Sequence, residues 1–137
     1  MCSRQNDTYL QLLRARAFID ECYDLPLDLE QIACQASFSR YHFLRLFRTT
    51  FDQTPHQYLI QRRIERAKAL LAAGDLSITE VCFAVGFQSL GSFSALFRRC
   101  SGYPPKEYRA RVFRGISLPR RFVPACFLRM LNIQMPA

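Results

Sequence analysis

Apolar residues recur along the chain at spacings of three and four, inside short segments bounded by polar and turn-forming residues. No run alternates convincingly at period two. The pattern predicts an all-α chain of seven helices. Asp7-Thr8 opens a first helix with Leu10, Leu13, Ala17, Phe18 and Cys22 as its apolar stripe, running to about Asp24 ahead of Pro26. Asp28-Leu29-Glu30-Gln31 starts a short second helix ending near Ala36, with glutamine at its third helical position. Ser39 caps a third helix that reaches about Thr50. Thr54-Pro55-His56-Gln57 joins a cap, a proline at the first helical position and a glutamine at the third. It opens the longest helix, apolar along Ile60, Ile64, Ala67 and Leu71, which continues to Ala73 and stops at Gly74. Ser77-Ile78-Thr79-Glu80 is a capping box for a fifth helix, closed by Gly86. A sixth runs from about Leu90 to Cys100, and Pro104-Pro105 starts a short seventh through Tyr108.

The same pattern occurs twice. Ile32-Ala33, Phe38, Phe43, Leu46-Phe47-Arg48, Pro55 and Tyr58 recur as Val81-Cys82, Phe87, Phe93, Leu96-Phe97-Arg98, Pro105 and Tyr108. The offset is 49 residues as far as Phe38/Phe87 and 50 from Phe43/Phe93 onward, so the second turn carries one extra residue. Each repeat has the size of a helix-turn-helix, in which a first helix braces and a second lies in the major groove. The tight turn requires small residues, here Ala33 and Ala36 in the first repeat and Cys82, Ala84 and Gly86 in the second. Gly86 supplies the positive φ of a sharp helix end, and Ser37 must do the same at some cost. Phe38 and Phe87 are expected to plug the space between the paired helices.

The second helix of each repeat has two faces. Phe43, Leu46 and Phe47 point inward, leaving Arg40, Tyr41, Leu44, Arg45 and Arg48 outside. Phe93, Leu96 and Phe97 point inward in the other, leaving Gln88, Ser89, Gly91, Ser92, Ala95, Arg98 and Arg99 outside. Arginine pairs with guanine edges or clamps phosphates, while tyrosine and leucine can meet the thymine methyl. The first repeat is therefore expected to carry most of the base-specific hydrogen bonding. The second would rely on shape, methyl contact and phosphate clamping. Ser39, Arg48, Arg98, Arg99 and Lys106 form the candidate phosphate-contacting set. The linking helix of 19 residues spans about 28 Å. Successive major grooves on one face of DNA repeat every ~34 Å, so one polypeptide could fill both without a dimer partner.

Charge agrees with this reading. Nineteen Lys and Arg face 11 Asp and Glu, a net charge of +8 that favours a polyanionic partner. The start is polar, with no apolar signal core, and no apolar run reaches the ~20 residues of a membrane span, so the chain reads as cytosolic. Its six cysteines show no C-x-x-C pair and read as free thiols. Cys34 and Cys82 take small-residue slots in the bracing helices. Cys100 stands beside Arg98 and Arg99, which would lower its pKa and favour oxidation. His42 and His56 lack spaced partners for zinc, and no Ser-His-Asp set or Gly-rich phosphate loop suggests an enzyme or a cofactor.

Gly86-Phe87-Gln88-Ser89, Phe93-Ser94, Leu96-Phe97-Arg98-Arg99, Gly102-Tyr103-Pro104-Pro105 and Tyr108-Arg109 together resemble the closing motif of the AraC/XylS family of bacterial transcription regulators. Leu29-Glu30-Gln31-Ile32-Ala33, Ser39-Arg40-Tyr41-His42-Phe43, Phe47-Arg48, Pro55, Gln57-Tyr58-Leu59, Arg62, Arg66-Ala67 and Leu70-Leu71 are similar to its first unit and linker helix. The resemblance covers about residues 8 to 111. It implies a homeodomain-like DNA-binding domain, with helix-turn-helix units at about 28–51 and 77–101 joined by a linker helix at about 54–73. It further implies an asymmetric double-stranded promoter site, and usually activation through contact with RNA polymerase. The family's base-contacting positions fall on Arg40, Tyr41, Leu44 and Arg45, and on Gly91, Ser92 and Ala95, with Ser89 beside them. Three positions depart from the family: Ala95 where a basic residue is frequent, Gly91 where a hydroxyl is common, and Ser101 where an apolar residue is usual.

Residues 112–137 hold Pro119, Pro124 and Pro136, four Arg and no acid, and read as a disordered basic arm or as an add-on packed against the domain. The alternatives to a stand-alone regulator are the DNA-binding half of a larger sensor protein, a DNA-repair-associated protein, and a membrane or partner-interaction module built on that tail.

Overall fold

A computed structural model describes residues 2–115, and the expectations placed on 116–137 lie outside the described residues. Seven helices and no strand occur among the described residues: α1 Cys2–Cys22, α2 Leu29–Gln35, α3 Arg40–Phe51, α4 Pro55–Ala73, α5 Ile78–Ala84, α6 Leu90–Ser101 and α7 Pro105–Phe113. The backbone divides into two compact units that meet in the sequence between Ile60 and Gln61, inside α4.

In the first unit α1, α2 and α3 pack on one another. The face that α1 buries is Leu12, Ala15 and Ile19, not the predicted stripe; Leu10 and Ala17 are exposed, and Leu13, Phe18 and Cys22 are half-buried. Both stripes have helical spacing, and Ala15, at 0 % exposure, sits on the one that faces the core. The helix also starts earlier than Asp7-Thr8. Thr8 does not cap; its hydroxyl donates back to the Arg4 carbonyl at 2.9 Å, a bond made inside a helix already under way. Ile32, Ala33, Ala36, Phe43, Phe47 and Leu59 complete this core. Phe47 touches the rings of Phe43, Phe51 and Tyr58 at centroid distances of 5.5, 4.6 and 6.2 Å. The Tyr58 hydroxyl donates to Asp20 at 2.6 Å, tying the start of α4 to α1.

In the second unit α6 packs on α5 and α7. Val81, Cys82, Val85, Phe93, Phe97 and Cys100 are buried. Phe97 meets Phe93 at 5.7 Å and Tyr108 at 5.2 Å, as Phe47 meets Phe43 and Tyr58. Arg109, on α7, donates to the Leu71 carbonyl at 3.3 Å and to that of Leu76, occupying acceptors at and beyond the end of α4. The seventh helix runs through Phe113 rather than ending at Tyr108, so the tail's first two residues are helical. An Arg111–Glu107 pair at 3.1 Å and the Arg111 guanidinium 4.1 Å above the Tyr103 ring support that extension.

The helix starts follow the capping chemistry legible in the sequence. Asp28/Gln31 and Ser77/Glu80 form reciprocal boxes, and Thr54/Gln57 does the same at 2.7 and 3.2 Å. Ser39 stands at the N-cap of α3, but its side chain makes no cap hydrogen bond.

The two turns share the bonds made by their last two N–H groups and differ at the one before, where Ala36 N–H donates to the Ala33 carbonyl and Val85 N–H to that of Val81. Phe38 N–H donates to the Ala33 carbonyl at 3.3 Å and Phe87 N–H to that of Cys82 at 3.1 Å. Ser37 and Gly86 hold the left-handed residue, at φ 59° and 96°. The small residue paired with Ala36 is Val85, at 0 % exposure, whereas Ala84 is exposed. The inserted residue of the second turn is Gln88, between Phe87 and the N-cap Ser89. At the far ends of α3 and α6, Asp52 at φ 57° takes the place of Gly102 at φ 87°. Left-handed backbone costs an L-residue about 1–2 kcal/mol. Ser37→Gly and Asp52→Gly are each expected to raise stability by about 0.5–1 kcal/mol, part of the relief being lost to the glycine's freer unfolded chain. Urea midpoints check this, and the idea fails if either variant is less stable than the parent.

Candidate nucleic-acid interface

Each unit presents one helix whose inner side is held by a buried phenylalanine pair and whose outer side faces solvent. Phe43 and Phe47 in α3, and Phe93 and Phe97 in α6, are all at 0 % exposure. The intervening Leu46 and Leu96 are half-buried. A four-residue spacing repeats on one helical face, so burying these pairs fixes which residues point out.

On α3 the outer residues are Tyr41, at 71 % exposure, with Arg45 and Arg48 exposed and Arg40 and Leu44 half-buried. No acidic residue occurs between Arg40 and Phe51, so every formal charge on this face is positive. Phe38 follows the turn, half-buried, with its ring edge-on to His42 at 5.1 Å. His42 is thereby a flank of the turn, itself exposed.

At the N-cap and along α6, Ser89, Leu90, Gly91, Ser92, Ala95, Arg98 and Arg99 are exposed, Leu90 at 41 %. The Ser89 hydroxyl accepts from the Ser92 N–H at 3.4 Å, so it serves as a cap. Arg98 and Arg99 are in the last turn, where cations also complement the helix dipole. Lys106, at the start of α7, is exposed. In the first repeat Ser39 is exposed at the start of α3. The predicted residues of each repeat are thus exposed, except Arg40 and Leu44, which are half-buried.

Support for α6 also comes from α4. Arg63 of α4 is buried to 9 % exposure, with its guanidinium 5.7 Å above the Phe87 ring. Phe87 in turn meets Phe93 at 5.2 Å. A buried arginine against an aromatic ring leaves no periodic signal, since one cationic position on a helix reads as a solvated face. Arg62, its neighbour, pairs with Glu65 at 2.9 Å. At the departure Ser101, the side chain is buried and hydrogen-bonded to the Phe97 carbonyl at 2.7 Å, so a hydroxyl is satisfied in an otherwise apolar place.

The cysteines differ from expectation. Cys34 is exposed, and Cys82 alone takes a buried small-residue slot, opposite Ala33 in the repeat. Cys100 is buried, and burial pushes its thiol up to about 11 despite the nearby Lys68. Arg98 and Arg99 are exposed and do not activate it, so the lowered pKa expected there is overturned. Brief alkylation of the native chain at about pH 8 should label Cys34 and leave Cys100 unmodified, as read by mass spectrometry. Equal labelling of the two would contradict the burial.

Among the described residues no three His, Cys, Asp or Glu side chains converge as metal ligands. No described helix is long and apolar enough to cross a membrane.

With this geometry in place, three similarities bear on its use. A family model described as a helix-turn-helix domain matches residues 32–111. The regulatory protein SoxS of Escherichia coli K12 is 34 % identical over 96 residues, which are 70 % of this chain and 90 % of SoxS. The MmsAB operon regulatory protein of Pseudomonas aeruginosa is 34 % identical over 106 residues, 77 % of this chain, which spans only 34 % of that protein. Among solved structures, the DNA-binding domain of AdpA, a global transcriptional factor crystallised with a target DNA, superposes with a TM-score of 0.71. It is 35 % identical, over 77 % of this chain and 97 % of that one.

Proposed function

The chain belongs to the AraC/XylS family of helix-turn-helix, DNA-binding transcription regulators, and from that premise we propose that it binds an asymmetric promoter site as a monomer, with α3 and α6 in successive major grooves. The observation that carries the proposal is the repeated outer face: two helices, each locked by a buried phenylalanine pair, each cationic and free of acidic residues. The DNA-binding domain in this reading is residues 8–111, preceded by the first turns of α1.

Arg40, Tyr41, Leu44 and Arg45 are assigned to base edges in one groove. Ser92, Gly91 and Ala95 face the other, with Ser89 at the helix cap. Ser39, Arg48, Arg98, Arg99 and Lys106 are assigned to phosphates. The reading includes activation through contact with RNA polymerase and residence in the cytoplasm. It takes the protein as a regulator rather than an enzyme.

Selection of bound duplexes from a random pool tests the proposal. The expected outcome is a non-palindromic site with two conserved blocks about 10 base pairs apart, bound one chain per site. A palindromic site, or a single block one groove wide, overturns it.

A further inference from the structure

The repeat sets α3 and α6 in register, and the register exposes an inequality. With the offset of 50, Tyr41 corresponds to Gly91 and Arg45 to Ala95. Two of the longest outward side chains of one reading helix are replaced by the two smallest in the other, and all four positions are exposed. Resting on the proposed DNA reading, we propose that Gly91 and Ala95 are close-approach residues: α6 meets its groove with its own backbone surface, seated deeper than α3 is in its groove.

Nothing in the fold accounts for the glycine. Gly91 lies in the first turn of α6 and does not occupy the left-handed region. A Cβ built there meets only the Ser89 hydroxyl, at 3.7 Å, an ordinary contact. Alanine would fit and would favour the helix, since glycine is the poorest helix former after proline. A glycine that the chain neither needs for its turn nor for its packing points to something outside the chain. Ala95, one turn on, is exposed and nearly as short, so the stripe that Gly91, Ser92 and Ala95 share is smooth over the first two turns, with the exposed Leu90 beside it. A helix with ordinary side chains is about 10–12 Å across and fills a major groove about 12 Å wide. A helix stripped of side chains on one face can sit lower in that groove before it meets base edges. Recognition there runs through shape, the thymine methyl and the helix backbone.

The test uses the full chain and a duplex of about 30 base pairs carrying the selected site. Gly91→Ala, Ala95→Leu and Ala95→Arg are compared with the parent by fluorescence anisotropy, with thermal melts alongside. The expected result is that all three bind at least about tenfold more weakly, whether the added bulk is neutral or cationic. Gly91→Ala should also melt a few degrees higher. Unchanged binding by Gly91→Ala, or tighter binding by Ala95→Arg, overturns the inference, because it would mean the groove has room that α6 does not fill. Arg45→Ala separates this from the underlying reading. If Arg45→Ala weakens binding while the α6 variants do not, only the close approach falls; if none of the variants changes binding, the DNA reading itself falls.

Discussion

Replacing Phe47 by alanine is expected to cost the folded chain about 3–5 kcal/mol, a large share of the ~5–15 kcal/mol that holds a domain together. Phe47 is at 0 % exposure and joins three rings, Phe43, Phe51 and Tyr58. Aromatic pairs contribute about 0.5–1.5 kcal/mol each beyond the area they bury. The core around it includes Ala15, Ala33 and Ala36, whose side chains cannot extend into the cavity left behind. Tyr58 is also held by Asp20, so its ring is not at liberty to swing inward. Leu46, one residue earlier, is only half-buried. Leu46→Ala should cost about 1–2 kcal/mol, in proportion to the smaller apolar surface it returns to water. Urea unfolding of both variants, with unchanged denaturant slopes, checks the ranking. A Phe47→Ala chain no less stable than Leu46→Ala would show that the ring cluster is not the centre of this unit.

The elements that were legible are those whose signal is local and chemical. Capping pairs such as Ser77/Glu80 place a helix start because two side chains close on two backbone N–H groups a few residues away. Gly74 and Gly102 mark helix ends because their φ angles, 80° and 87°, are costly to other residues. The repeat served as a second witness, since Phe43 and Phe93 each confirm the other's inward direction. What was not legible depends on tertiary choice. In α1, Leu10-Leu13-Ala17 and Leu12-Ala15-Ile19 are both acceptable apolar faces, and only packing on α2 and α3 selects the second. In the bracing helices Cys34 and Ala84 are small and adjacent to the true slots, Ala33, Ala36, Cys82 and Val85, so composition alone could not separate them.

The site divides in the same way. The outward direction of Tyr41, Arg45, Gly91 and Ala95 follows from the inward phenylalanines and needed no coordinates. Adjacency in sequence misled at Cys100, because neighbours on a helix point about 100° apart. Arg98 and Arg99 face out where Cys100 faces in, and desolvation outweighs any nearby charge. Arg63 was hidden for the opposite reason, since its role depends on Phe87, 24 residues away in sequence.

Arg45→Ala should relax the preference at one position of the bound site by about 1–3 kcal/mol, roughly a 5- to 150-fold loss of discrimination. Arg45 is exposed on α3, one turn after Tyr41 and between the buried Phe43 and Phe47, so its reach is set by an anchored backbone. A guanidinium in the major groove satisfies the two acceptors of guanine together, and no other base offers that pair. Removing it leaves those acceptors to water and equalises the four bases at that position. Arg98 provides the contrast. It is in the last turn of α6, away from the smooth start of that helix. Arg98→Ala should weaken every sequence alike and lower the salt dependence of log K by about one, the release of one counterion. Competition against single-base variants of the selected site, repeated at two salt concentrations, reads both effects at once. Should Arg45→Ala weaken all sequences equally, the residue clamps a phosphate, and base selection by α3 must come from Arg40, Tyr41 or Leu44.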